Sequence, residues 1–251
     1  MNEQKPNEVL TLDQSMFEGL PTGFENTSTT TFKTPFLSIV QSTSAIKKSN
    51  NPAYIPEAKD GDFFNNASQT LYKELNVIVL GIDEQLVVWG PDRGPFKGAY
   101  PKRMELEIVT NQVDMKKYDI DGNVVNDTIS FFCVNVDDYS DIFVFPLSVM
   151  QLKWAKKWAT KIKFLSVNGE RINRTYAGVW NIKTVIDSNE KGQWYTIGAT
   201  PTFKRFVNAN DANEFARHIK PALEMLKNAV TDYSNMEETS EKTEDDIVVT
   251  Y

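Results

Sequence analysis

Leu75-Asn76-Val77-Ile78-Val79-Leu80 and Gln85-Leu86-Val87-Val88-Trp89 decide the fold class of this chain. Both runs are short and rich in β-branched residues, so they read as two strands with Asp83-Glu84 in the turn between them. Downstream, Gly90 to Gly98 reads as a loop carrying cations and one aromatic. A second strand pair follows, Ile129 to Val136 and Ile142 to Leu147, joined by Asp137-Asp138-Tyr139-Ser140-Asp141. A last hairpin is expected over Tyr176 to Ile186 and Gln193 to Ala199, turning at Ser188 to Gly192.

Two helices interrupt and close this β pattern. In the first, Leu147, Met150, Trp154, Trp158 and Ile162 recur at helical spacing behind a capping Ser148, while Lys153, Lys156 and Lys163 fall elsewhere on the wheel. The second is expected from Asp211, as cap, to Val230. Upstream, Thr34-Pro35 looks like an N-cap followed by proline at the first helical position, with Phe36, Leu37, Ile39 and Val40 as the buried face of a short helix. Residues 1–30 are polar and read as a flexible arm. The expected class is mainly β (α+β): an OB-like Greek-key barrel over residues 31–230, with an inserted helix, a C-terminal helix and an acidic tail over 231–251.

Composition narrows the chemistry. With 41% hydrophobic residues among 251, the chain can bury a core. One cysteine, Cys133, makes no internal disulfide, and one cysteine with one histidine cannot build a Cys/His zinc site. His218 reads as a helix-surface residue. No phosphate-binding glycine loop and no nucleophile elbow is present, so no enzyme activity, metal or cofactor is expected. Asp137, Asp138 and Asp141 have the donor type for a Mg²⁺-dependent nuclease, against which stands their place in a hairpin turn. No apolar run reaches membrane-spanning length and the first residues lack a signal-peptide pattern, so a cytoplasmic location is expected.

The net charge of −7 hides a strong asymmetry. Between Gln151 and Phe206, eleven cations face Glu170, Asp187 and Glu190, a local net of +8; from Asp232 onward seven anions face Lys242 alone, a local net of −6. Aromatic residues are interleaved with the cations, and single-stranded nucleic acid needs both: cations for phosphates, flat rings for exposed bases. Trp154 and Trp158 fall on the apolar helix stripe and read as core, and alternation puts Trp180 and Lys183 on opposite strand faces. The candidate DNA-binding residues are Trp89, Arg93, Lys97, Tyr100, Lys102, Arg103, Lys153, Lys156, Lys183, Trp194, Lys204 and Arg205. Trp89, Tyr100 and Trp194 are the candidate stacking rings. The tail carries Glu244, Asp245 and Asp246 and then Ile247, Val248, Val249 and Tyr251, a charge-steered docking peptide with an apolar tip.

The segments Pro35 to Gln41, Ala58 to Phe63, Phe145 to Lys153 and Trp180 to Trp194 resemble those of a family of phage and prophage replication-module proteins, over residues 20–206. The body-plus-tail plan is similar to phage single-stranded DNA-binding proteins, OB-folds whose acidic tail ends in an aromatic. That resemblance implies a sequence-independent protein of phage replication or recombination, located in the host cytoplasm. It also implies a tail that contacts polymerase, helicase or primase and competes with DNA for the basic groove. Tyr251 would be the terminal aromatic, preceded here by Thr250, and the usual final Phe is absent. A homo-oligomer is compatible with this plan. The alternatives are a single-strand annealing recombinase and a host-directed phage interaction protein that binds no DNA.

Overall fold

The computed structural model describes residues 34–91, 94–102, 106–113, 116–190 and 192–214, all within a compact unit that begins at Lys33. The expected arm, most of the C-terminal helix with His218, the acidic tail, Arg93 and Arg103 lie outside the described residues.

Two long antiparallel strands form the spine, β4 (Glu74–Trp89) and β8 (Val124–Asn135), paired from Val77↔Asn135 to Trp89↔Val124. Shorter strands flank them: β1 (Leu37–Ile39), β2 (Phe63–Asn65), β3 (Thr70–Tyr72), β5 (Phe96–Pro101), β6 (Val109–Thr110), β7 (Lys117–Tyr118) and β9 (Ile142–Ser148). After helix α1 (Leu152–Lys163) come β10 (Ser166–Val167), β11 (Glu170–Arg171), β12 (Gly178–Lys183), β13 (Val185–Asn189), β14 (Gly192–Thr196) and β15 (Thr202–Phe206). The main sheet runs β15-β12-β4-β8-β7-β6, with β5 added beside β4 and β9 beside β8. The mainly-β class holds, with all strand pairs antiparallel. Among the described residues this sheet has two ends, β15 and β6, and does not close into the expected barrel.

The expected turn at Asp83-Glu84 is instead strand: Asp83 pairs with Ser130 and Glu84 with Ile129. Between Val79↔Cys133 and Gly81↔Phe132, β4 advances two residues while β8 advances one, so Leu80 is the extra residue of a bulge. The bulge resets the side-chain alternation. Ile78 before it, Leu80 at it and Val87 after it all join one cluster, with Phe132, Val134, Val144 and Val179. The opposite face carries Leu75, Val77, Val79, Phe131, Phe143, Phe145, Trp180 and Ile182 beneath Ala155, Trp158 and Ile162 of α1. Burial on both faces explains the unbroken apolar run from Val77 to Leu80.

Three other expectations change. Phe36 to Val40 is extended rather than helical, because it finds long-range partners: Asn66 Oδ1 accepts from the Phe36 N–H, and the Pro35 carbonyl accepts from Val144 N–H. Phe36, Leu37 and Val40 are nevertheless buried as the pattern requires. The segment Gly90 to Gly98 is only partly loop, since β5 begins at Phe96. The strand expected over Tyr176 to Ile186 breaks at Thr184, giving β12 to the main sheet and β13 to a separate hairpin with β14. The hairpin turns within the expected stretch but more tightly: Ser188 and Asn189 belong to β13 and Gly192 to β14, paired across it.

That hairpin is docked by side chains imitating a strand. The Gln41 amide donates to the Tyr195 carbonyl at 2.8 Å and accepts from Tyr195 N–H at 2.9 Å, while Thr184 Oγ1 donates to the Gly61 carbonyl at 2.6 Å. Gly61 sits at φ +85°, and a Cβ there would lie 2.5 Å from the Tyr195 ring. Gly61→Ala therefore combines left-handed backbone strain with displacement of Tyr195. It is expected to cost about 2–3 kcal/mol, read as a lower urea midpoint at unchanged m-value.

Candidate nucleic-acid interface

Helix α1 reads Leu-Lys-Trp-Ala-Lys-Lys-Trp-Ala-Thr-Lys-Ile-Lys, with five lysines and no acidic residue. Its apolar stripe, Ala155, Trp158 and Ile162, is buried on the sheet, and the Trp158 ring stacks on Phe131 with centroids 4.2 Å apart. Trp158 is core, as the helix stripe indicated, whereas Trp154, expected in the core with it, is half-buried against it; Trp180 is buried on the sheet, on the face opposite Lys183. Lys153, Lys156, Lys157, Lys161 and Lys163 are all exposed. Lys161 and Lys163 in the last turn face the negative end of the helix dipole, which favours cations there.

Most of this charge is not neutralised locally. Lys153 and Lys157 hold their ammonium groups 4.9 and 4.5 Å from the Trp154 ring centre. Lys153 also pairs with Asp187 at 3.5 Å, and Lys161 donates to the Ala199 and Pro201 carbonyls. Lys156 and Lys163 make no ion pair among the described residues. Trp194 is placed beside the first turn of α1. It sits directly across the hairpin from Asp187, and the neighbouring Thr196 donates to Gln151 Oε1 at 3.3 Å.

At the other end of α1, the Phe164 ring is half-exposed and the Arg171 guanidinium lies 4.5 Å from its centre. Leu165 and Phe203 converge on Gly178, where a Cβ would meet the Phe203 ring at 3.1 Å and Leu165 at 3.3 Å. Phe203 makes edge contacts with Trp180 and Phe206, at 5.7 and 4.9 Å between centroids. A second bulge arranges these rings. From Arg205 to Phe203, β15 advances two residues while β12 advances one, leaving Lys204 as the extra residue. Phe203 and Phe206 thereby share the α1 side of the sheet, and Lys204 and Arg205 point to the other. This irregularity also hides β15 from period-two reading.

The remaining candidates do not converge on α1. Lys183 is in phase with Val179 on the far sheet face and is ion-paired with its cross-strand neighbour Glu74. Arg205 grips Asp211 through both Nη atoms, and Tyr139 donates to the same carboxylate. Lys102 pairs with Glu84 and Asp127 at 3.4 and 3.3 Å, and Asp127 also holds Lys117. A shallow hollow of about 520 Å³ is lined by Asp83, Glu84, Pro101 and Lys102. Trp89 packs edge-on against Phe96 and Tyr100 against Leu86, Val88 and Val125, all in the other half of the sheet. Lys97 is exposed there on β5. The described candidates thus fall in three places, and among them only Lys153, Lys156 and Trp194 lie on or beside α1. Lys157, Phe164, Arg171 and Phe203 join that surface. Their types were visible in the sequence, but their exposure was not.

The turn carboxylates have structural partners. Asp141 accepts from Asn65, Tyr72 and Asn135, and burial together with this bond pushes the Tyr72 hydroxyl up to about 12. Asp138 accepts from Ser140. Among the described residues no group of three or more His, Cys, Asp or Glu side chains could hold a metal ion. The Cys133 thiol is fully buried, and burial pushes its pKa upward. No helix among the described residues is long and apolar enough to cross a membrane.

Comparison with known proteins identifies one family model, described as Pam3 phage gp34-like protein, which matches residues 2–229. No curated protein and no solved structure matches the chain.

Asp211 lies in the first turn of the helix that follows β15, as part of a capping box rather than as the cap itself. Asn208 Oδ1 accepts from Asp211 N–H at 2.9 Å, and Asp211 Oδ2 accepts from Asn208 N–H at 2.8 Å, at the start of a helix over 209–214. The Arg205 guanidinium holds the Asp211 carboxyl far below the usual carboxylate range, against burial, with Tyr139 assisting. A depressed folded pKa adds stability that is complete above the unfolded value near ~4 and is lost as pH falls through the folded one. Asp211→Asn is expected to lose about 2 kcal/mol at pH 7, with the gap to wild type shrinking below pH ~4. Urea unfolding at pH 7 and pH 3 measures both.

Proposed function

The chain belongs to the Pam3 phage gp34-like family, and we propose that it is a sequence-independent single-stranded DNA-binding protein of phage replication or recombination, acting in the host cytoplasm. The observation that carries this reading is the exposed face of α1, with five lysines and no anion in twelve residues, and aromatic rings at both ends. Such a face offers phosphates a row of cations, and binding releases the counterions condensed on the strand. Because the contacts are to the backbone, no sequence preference follows. The role is to bind and protect the strand, with no catalytic step.

Within this reading, Lys153, Lys156, Lys157 and Lys163 track phosphates, and Trp194 is available to stack. Lys183, Arg205 and Lys102 are assigned instead to the ion pairs they form within the fold. The acidic segment with Glu244, Asp245 and Asp246 competes with DNA for the lysine face. Its apolar tip, Ile247, Val248, Val249 and Tyr251, recruits a polymerase, helicase or primase.

Tryptophan fluorescence titration with oligo-dT tests this. Four phosphate contacts give a log–log salt slope of about −3 for a single strand. Lys156→Glu combined with Lys163→Glu is expected to weaken binding at least about tenfold and flatten that slope. Absence of wild-type binding at low salt removes the reading. Truncation after Thr231 is expected to tighten binding at low salt, since a competing polyanion is lost; unchanged affinity removes the shielding role alone.

A further inference from the structure

Unpaired bases differ from duplex in exposing their flat faces, and two partly exposed rings, Phe164 after the last turn of α1 and Phe203 on β15, lie at this end of the surface. Phe164 follows the last helical residue, is 50% exposed, and carries Arg171 over its ring. Its place is held by the helix end, where Phe164 N–H donates to the Thr160 carbonyl, and by Ile172 N–H donating to the Leu165 carbonyl at the neck of the β10–β11 hairpin. Phe203, 39% exposed on the terminal strand β15, is held in orientation by Trp180 and Phe206. Gly178 makes the close approach possible, since any Cβ there would press on the Phe203 ring. Lys161 and Lys163 lie in the last turn of α1 just before Phe164, and Glu170 is the one acidic residue on the β10–β11 hairpin that carries Arg171.

Exposed aromatic rings on a soluble surface cost free energy unless a partner covers them, and here the surrounding charge selects the partner. An acidic strand with apolar, planar substituents fits both features. A ring with a guanidinium fixed over it is also a stacking unit for a nucleobase, through π-stacking and cation–π attraction.

We infer that Phe164 with Arg171, joined by Phe203, forms the base-stacking subsite of this surface and selects unpaired nucleotides over duplex. This rests on the reading of α1 as a phosphate track. The strand then runs along the lysine face toward the Phe164 corner, and the candidate rings Trp89 and Tyr100, packed in the other half of the sheet, play no part.

The test separates bases from phosphates. Full-length protein is titrated with dT oligonucleotide, with an abasic oligonucleotide of equal length and charge, and with duplex. The wild type is expected to prefer dT over the abasic strand about 5- to 100-fold. Phe164→Ala should abolish most of that preference while leaving abasic affinity and salt slope unchanged; Phe164→Tyr should retain it and Phe164→Leu should not. Phe164 is at the surface, so these variants should keep the wild-type unfolding midpoint, and Phe203→Ala is read only if it does too. Equal wild-type affinity for dT and abasic strands overturns the stacking subsite and leaves the phosphate track standing. A preference that survives Phe164→Ala places stacking elsewhere and likewise overturns it. If the wild type binds neither strand at low salt, the proposed function fails and the subsite falls with it.

Discussion

The pairing of β4 with β8 is the constraint from which the rest of the structure follows. Each strand is long enough to serve two sets of neighbours, β12 and β5 along β4, and β9 and β7 along β8. A ribbon of this length cannot keep one side-chain phase and still bend over two clusters. The extra residue at Leu80 resolves the conflict by turning the strand and restoring the alternation on the far side. Phe131 and Cys133 then face α1, while Phe132 and Val134 face the opposite cluster.

The lysine face is a consequence of that arrangement. Trp158, Ala155 and Ile162 are drawn onto the sheet by burial, so the helix has one permissible rotation, and that rotation presents every lysine to water. Glu74, Asp127 and Asp211 pair with cations on other parts of the sheet, and of the α1 lysines Lys153 is paired with Asp187. The positive surface follows from a helix with five lysines and no acidic residue of its own.

Helix α1 was legible because its signal is periodic and local: an apolar stripe at 154, 158 and 162 separated from lysines. The β8–β9 hairpin and the turn after β13 were legible for the same reason, as apolar runs bounded by polar turns. Asp83-Glu84 misled because two acidic residues look like a turn, yet each has a cross-strand partner in β8. Thr34-Pro35 misled because a good helix start was outweighed by backbone partners contributed by Asn66 and Val144. Strand β15 was invisible because the bulge at Lys204 breaks the alternation that marks a strand.

The sequence by itself determined the mainly-β class, the amphipathic partition of α1 and the opposed charges of the 151–206 and 232–251 segments, because these depend on residue type and short-range periodicity. Only the tertiary structure decided which cations remain open to a ligand and which rings reach solvent. Lys153, Lys156, Lys183 and Arg205 look equivalent in sequence, but Lys183 is paired with Glu74 across a strand pair and Arg205 with Asp211 in the first turn of the following helix. For Lys183 that availability is set by register, and register is a property of strands brought together across long separations in the chain, not of any stretch read alone.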